Sequence, residues 1–136
     1  MNFTTKIAIV VAEDLAVWQK LNVVAFLMSG IIAATDEITG ENYVDASGES
    51  YSPLCIQPTM ILKSSRDKLN TYLRRAKERN VPASIYIEDM FATGHDAANR
   101  ETVKQYETEA LPLVGIGIRG DKKEVDKIFK GAKLHD

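Results

Sequence analysis

With 136 residues, 45% hydrophobic and 26% charged, the chain has the size and composition of one globular domain, 1–136, without low-complexity tracts or solenoid-length repeats. The single cysteine, Cys55, excludes an internal disulfide, and a net charge of −2 argues against a protein built to coat nucleic acid. The first residues carry no secretory pattern, and the longest apolar run, Leu21 to Ala34, is too short to span a bilayer. A cytoplasmic location without membrane contact is expected.

Lys6 to Ala12, "KIAIVVA", is continuously apolar and β-branched, the pattern of a strand buried on both faces. The following "EDLAVWQKLNVVAFLMSGIIAAT" reads as a long helix with Asp14 as N-cap. Its apolar residues run almost all round, so it is expected to be sandwiched, inside the domain or against a second subunit. Lys20 interrupts this surface and must reach water or pair with a carboxylate.

Thr35 to Pro53 is acidic and Gly- and Ser-bearing, a loop or short hairpin. No Lys or Arg occurs between Lys20 and Lys63, whereas Asp36, Glu37, Glu41, Asp45 and Glu49 all do. Ile56 to Lys63 is a second long strand, with Pro58 favouring an edge or a start just after it. "SSRDKLNTYLRRAKERN" is an amphipathic helix with Leu69, Leu73 and Ala76 inward and Ser64 or Ser65 as cap. "VPASIYIED" is a third strand, and a short helix is expected from Ala97 to Glu107. "LPLVGIGIRG" is a fourth strand. A last helix in "DKKEVDKIFKGAK" buries Val125, Ile128 and Phe129 and is capped by Asp121. The alternation of strands and helices calls for one sheet covered by helices on both sides, with ligands at the carboxyl ends of its strands.

The chemistry-bearing residues gather in "EDMFATGHDAANR", residues 88–100. Asp89 can act as a carboxylate base or anchor, Thr93 as a hydroxyl donor, and His95 as the group there that titrates near neutrality. Gly94, Asp96, Asn99 and Arg100 complete a set of candidate ligand-binding groups, although Asp96 could equally cap the next helix. A pair between Lys20 and Asp89 would place an ammonium and a carboxylate in one cleft. The two histidines and Cys55 show no metal-ligand spacing, and no nucleophile elbow is present, so neither metal nor cofactor is expected. Gly115 and Gly117 lie within an apparent strand and read as packing glycines rather than a dinucleotide fingerprint.

Over nearly its whole length the sequence resembles the type 2 peptidyl-tRNA hydrolase fold, and more closely a set of uncharacterised bacterial proteins that share it. "KIAIVVAEDL" looks like the opening strand and turn of that fold. "QKLNVVAFLM" sits where the hydrolases carry G-K-x-A-A-Q-x-x-H-A, and "PTMILKSSRDKLNTYLRRAKERNVPASIYIEDMFAT" is similar to their strand, helix and Asp-containing strand end. The resemblance implies a three-layer α/β/α sandwich around a four-stranded mixed sheet. It places the hydrolase Lys on Lys20, its Asp on Asp89 and its Thr on Thr93, but its Gln on Val24 and its His on Leu27. The expectation is therefore a re-tuned pocket in which Lys20, Asp89, Thr93 and His95 line a cleft that binds or hydrolyses a small polar ligand. The alternatives are retained peptidyl-tRNA hydrolysis, with tRNA binding disfavoured by the acidic charge, and a non-catalytic homodimer built on the first helix.

Overall fold

The structure is a computed structural model that describes residues 3–136. Strand β1 (Thr5–Ala12) leads to helix α1 (Val17–Ala33), and a small hairpin follows, β2 (Tyr43–Val44) and β3 (Ser50–Tyr51). Then come β4 (Thr59–Ser64), α2 (Arg66–Glu78), β5 (Ala83–Ile87), a 3-10 turn at Glu88–Ala92, and α3 (Asp96–Lys104). The chain ends with β6 (Leu113–Asp121), α4 (Lys122–Ile128) and β7 (Lys133–Leu134).

The main sheet has five strands in the order β5-β6-β1-β4-β7. β1 runs parallel to β4 and antiparallel to β6, while β5 is antiparallel to β6 and β7 to β4. The sheet is thus mixed, as expected, but has a fifth strand where four were anticipated. Lys133 and Leu134 are too few to show a strand period, and they pair with the edge that β4 leaves open.

The central position of β1 accounts for its unbroken apolar run: Ile7 to Ala12 are fully buried. Ile9 and Val11 pair with Gly117 and Gly115, and all four point to the face covered by α1. A Cβ on Gly115 would come within 2.5 Å of Val23 and 3.0 Å of Leu27, so the two strand glycines let the helix lie close to the sheet. Residues of the other parity meet α2 and α4 on the opposite face, where Leu69, Tyr72, Leu73, Ala76, Val125 and Ile128 are buried.

Several local expectations change: Ser65 and Asp121 occupy the N-cap positions of α2 and α4, but neither side chain makes a capping bond. Asp14 does not cap α1: the helix starts at Val17, and its first turn is closed by the Gln19 side chain accepting the Ala16 N–H at 3.0 Å. Asp14 is drawn away instead by Arg66. The short helix after β5 is Asp96–Lys104, one residue earlier at its start and three shorter at its end, with His95 as its N-cap. The acidic stretch does form a hairpin, closed by the Asp45 carboxylate, which accepts the N–H groups of Ser47 and Glu49 and the Tyr51 hydroxyl.

Candidate functional site

β1, β4 and β5 all point the same way, so their carboxyl ends lie along one edge of the sheet. There Arg66, at the start of α2, donates from Nε to both oxygens of Asp14 (2.9 and 3.0 Å) and from Nη1 to Glu88 (2.7 Å). The two carboxylates raise the Arg66 pKa further, Asp14 through its hydrogen bond most of all. This clasp anchors the start of the 88–100 stretch.

Beyond Glu88 the polar groups bond mostly to one another. The Asp89 carboxylate accepts the Tyr106 hydroxyl at 2.8 Å, and that bond to a carboxylate raises the Tyr106 pKa. The Thr93 hydroxyl has two acceptors within reach for its one proton, the Met90 carbonyl at 3.0 Å and the Asn99 carboxamide oxygen. His95 Nδ1 accepts the Ala98 N–H at 3.2 Å, capping α3. Nδ1 therefore carries a lone pair, which puts the proton of the neutral ring on Nε2. Asp96 pairs with Arg100 one turn on.

Lys20 lies elsewhere. Its ammonium sits 3.2 Å from His135 Nε2, beside β7, and it forms no ion pair with Asp89 among the described residues. The helical position explains this. Lys20 shares its side of α1 with Val24 and Met28, and Met28 meets Thr59 of β4. The side of α1 turned towards β5 is made by Trp18, Asn22 and Phe26.

That second side bounds a cleft. Trp18, Asn22 and Phe26 face Phe91, Thr93, Gly94, His95, Asp96 and Asn99 across an open hollow of about 290 Å³, with Tyr86 and Met90 at its base. The aromatic rings touch in series: Trp18 meets Phe91 edge-on at 5.9 Å, Phe91 meets Tyr86 at 5.1 Å, and Tyr86 meets Phe26 at 5.7 Å. Burial raises the Tyr86 pKa, with Asn22 partly offsetting the effect. A neighbouring hollow of about 450 Å³ shares Phe26, Tyr86, Met90, Asp96 and Asn99 and adds Arg100 and Lys104.

Of the residues singled out from the sequence, Thr93, Gly94, His95, Asp96, Asn99 and Arg100 thus come together along these hollows. Lys20 and Asp89 line neither. Trp18, Asn22, Phe26, Tyr86 and Phe91 were missed. The spacing of 18, 22 and 26, successive i, i+4 positions, was the available signal for one helical stripe. Among the described residues no group of three or more His, Cys, Asp or Glu side chains converges as a metal site would require, and no helix is long and apolar enough to cross a membrane.

No curated protein matches the chain. Among solved structures it is similar to the protein of unknown function Atu0240 from Agrobacterium tumefaciens strain C58. The two are 52% identical, with 99% of this chain and 100% of that one covered and a TM-score of 0.97. The model of one family, described as protein of unknown function (DUF2000), matches residues 5–136; the chain belongs to the DUF2000 family.

Proposed function

We propose that the protein binds a small, flat, polar ligand in the cleft between α1 and the 88–100 stretch. The observation that carries this reading is the facing of two unlike walls. Trp18 and Phe26 stand two turns apart on α1, with the Asn22 carboxamide between them, and Thr93, His95 and Asn99 stand opposite. Aromatic walls favour a planar group, and a few placed polar groups give it orientation. Asn99 gives its carboxamide oxygen to Thr93, which leaves its NH₂ free to donate. His95 offers Nε2–H in the same way. A ligand rich in acceptors along one edge suits this donor set.

The sequence resemblance leads us to group the sheet and its helices with the type 2 peptidyl-tRNA hydrolase fold, but we assign binding rather than ester hydrolysis. On α1, Val24 is half-buried and Leu27 fully buried against the sheet, so neither helps arrange a water. Lys20 and Asp89, the other groups a hydrolytic site would need, are engaged with His135 and Tyr106. Thermal-shift screening against nucleobases, nucleosides and aromatic carboxylates tests the assignment. A binder should raise the melting temperature of the native chain and of Lys20→Ala, and do so far less for Trp18→Ala and Asn99→Ala. No binder in the set, or one indifferent to both cleft substitutions, would sink it.

A further inference from the structure

The outer row of α1 has no partner within the chain. Val17 and Leu21 are 72% and 68% exposed, although the helix is the most apolar in the protein. The segment after α1 is similar. Tyr43, Val44, Tyr51 and Leu54 of the β2–β3 arm are each more than half exposed. Paired strands of two residues each are marginal on their own. The arm is nevertheless well built, because the Asp45 carboxylate accepts three hydrogen bonds, from the Tyr51 hydroxyl and the Ser47 and Glu49 N–H groups, and these, the Tyr51 bond most of all, lower the Asp45 pKa. An ordered, apolar, projecting arm and an uncovered apolar helix face are two halves of a contact the isolated chain does not make.

Charge indicates what makes it. From residue 21 to 62 the chain carries five carboxylates and no Lys or Arg. Beside the outer row of α1, on the same face of the sheet, lie Lys20, Lys63 and Lys133. Lys63 and Lys133 are register partners on β4 and β7, and Lys20 meets His135 two residues beyond Lys133. Lys63 is paired with Asp136 at 2.7 Å, while neither Lys20 nor Lys133 forms an ion pair among the described residues. One end of this chain's unpartnered surface is thus acidic and apolar, and the other is basic and apolar. A surface with that polarity is complementary to a rotated copy of itself.

We propose that a second copy of this chain is the partner, with the arm of each copy, led by Glu41 and Glu49, laid across α1 and the β4–β7 lysines of the other. Every such contact then occurs twice about a two-fold axis. The proposal is independent of the ligand cleft, which uses the Trp18–Asn22–Phe26 side of the helix.

Sedimentation velocity across a concentration series, at low and high salt, tests it on the full chain. The expected result is a dimer whose dissociation constant rises with salt. Leu21→Glu should yield monomer with an unchanged melting temperature at protein concentrations where both forms are monomeric. Glu49→Lys should weaken the dimer about tenfold, the size of effect seen for one close interfacial charge pair, and Glu49→Lys combined with Lys133→Glu should recover most of that loss. A chain that stays monomeric throughout, or a dimer indifferent to Leu21→Glu or to Glu49→Lys, overturns the proposal.

Discussion

On the face of the sheet covered by α2 and α4, a largely polar helix buries Leu69, Tyr72, Leu73 and Ala76 and leaves its charged residues in water. On the other face, the much more apolar α1 buries only Val23, Leu27 and Ile31 and exposes Val17, Trp18, Leu21 and Phe26. Greasiness and burial therefore run in opposite directions on the two faces. The α2 pattern is spent on folding, because its apolar residues sit at the spacing that meets the sheet and nowhere else. The surplus on α1 lies beyond what the sheet can cover, and it bounds the cleft on one side and carries the unpartnered row on the other.

The comparison breaks if stability follows apolarity rather than burial. Leu69→Ala, which empties a fully buried site, should cost about 2–5 kcal/mol of unfolding free energy by denaturant titration. Leu21→Ala should change it by no more than about 0.5 kcal/mol when the monomer is measured. Equal losses would show that α1's outer row is covered within one chain. Gly115→Ala comes next. The added methyl meets Val23 and Leu27, and overpacking of this kind costs about 1–3 kcal/mol.

His95→Ala should remove about 1 kcal/mol by uncapping α3. His95→Ser supplies another capping oxygen and should restore stability without restoring the Nε2–H donor. The pair of variants therefore separates the structural role of His95 from any role in binding, since only a binding role leaves His95→Ser deficient in ligand-induced thermal shift. The smallest effect concerns Asp136, whose pKa is lowered chiefly by its hydrogen bond to Lys63. A lowered folded-state pKa stabilises above the ordinary carboxylate range, and the contribution is lost as pH falls through the folded value. In Lys63→Met the Asp136 carboxyl resonance should titrate at higher pH by NMR, and the acid limb of the stability profile should flatten slightly.

Much of this is legible in the sequence. β1 announced its central position by an unbroken β-branched run, and α2 its inward face by the spacing of Leu69, Leu73 and Ala76. The gathering of Thr93, Gly94, His95, Asp96 and Asn99 into one wall could also be read, because residues so near in sequence cannot scatter far. Three features could not. β7 is too short to carry a period. Asp14 looks like a cap until Arg66, 52 residues on, claims it. The rotation of Lys20 away from Asp89 depends on how α1 is turned about its axis, and a helix apolar on nearly every side gives no signal for that turn. The strand glycines seat Val23 and Leu27, and with them the rest of the helix.

The hydrogen bond between Asp89 and Tyr106 has a mechanical consequence. It ties the chain together at residues 89 and 106, and the Arg66 clasp holds the neighbouring Glu88, so the segment between them is closed into a loop at both ends. Within that span Thr93 is bonded to Asn99, and His95 accepts the Ala98 N–H. If the proposed ligand binds there, groups already tied to one another would need little further ordering to receive it.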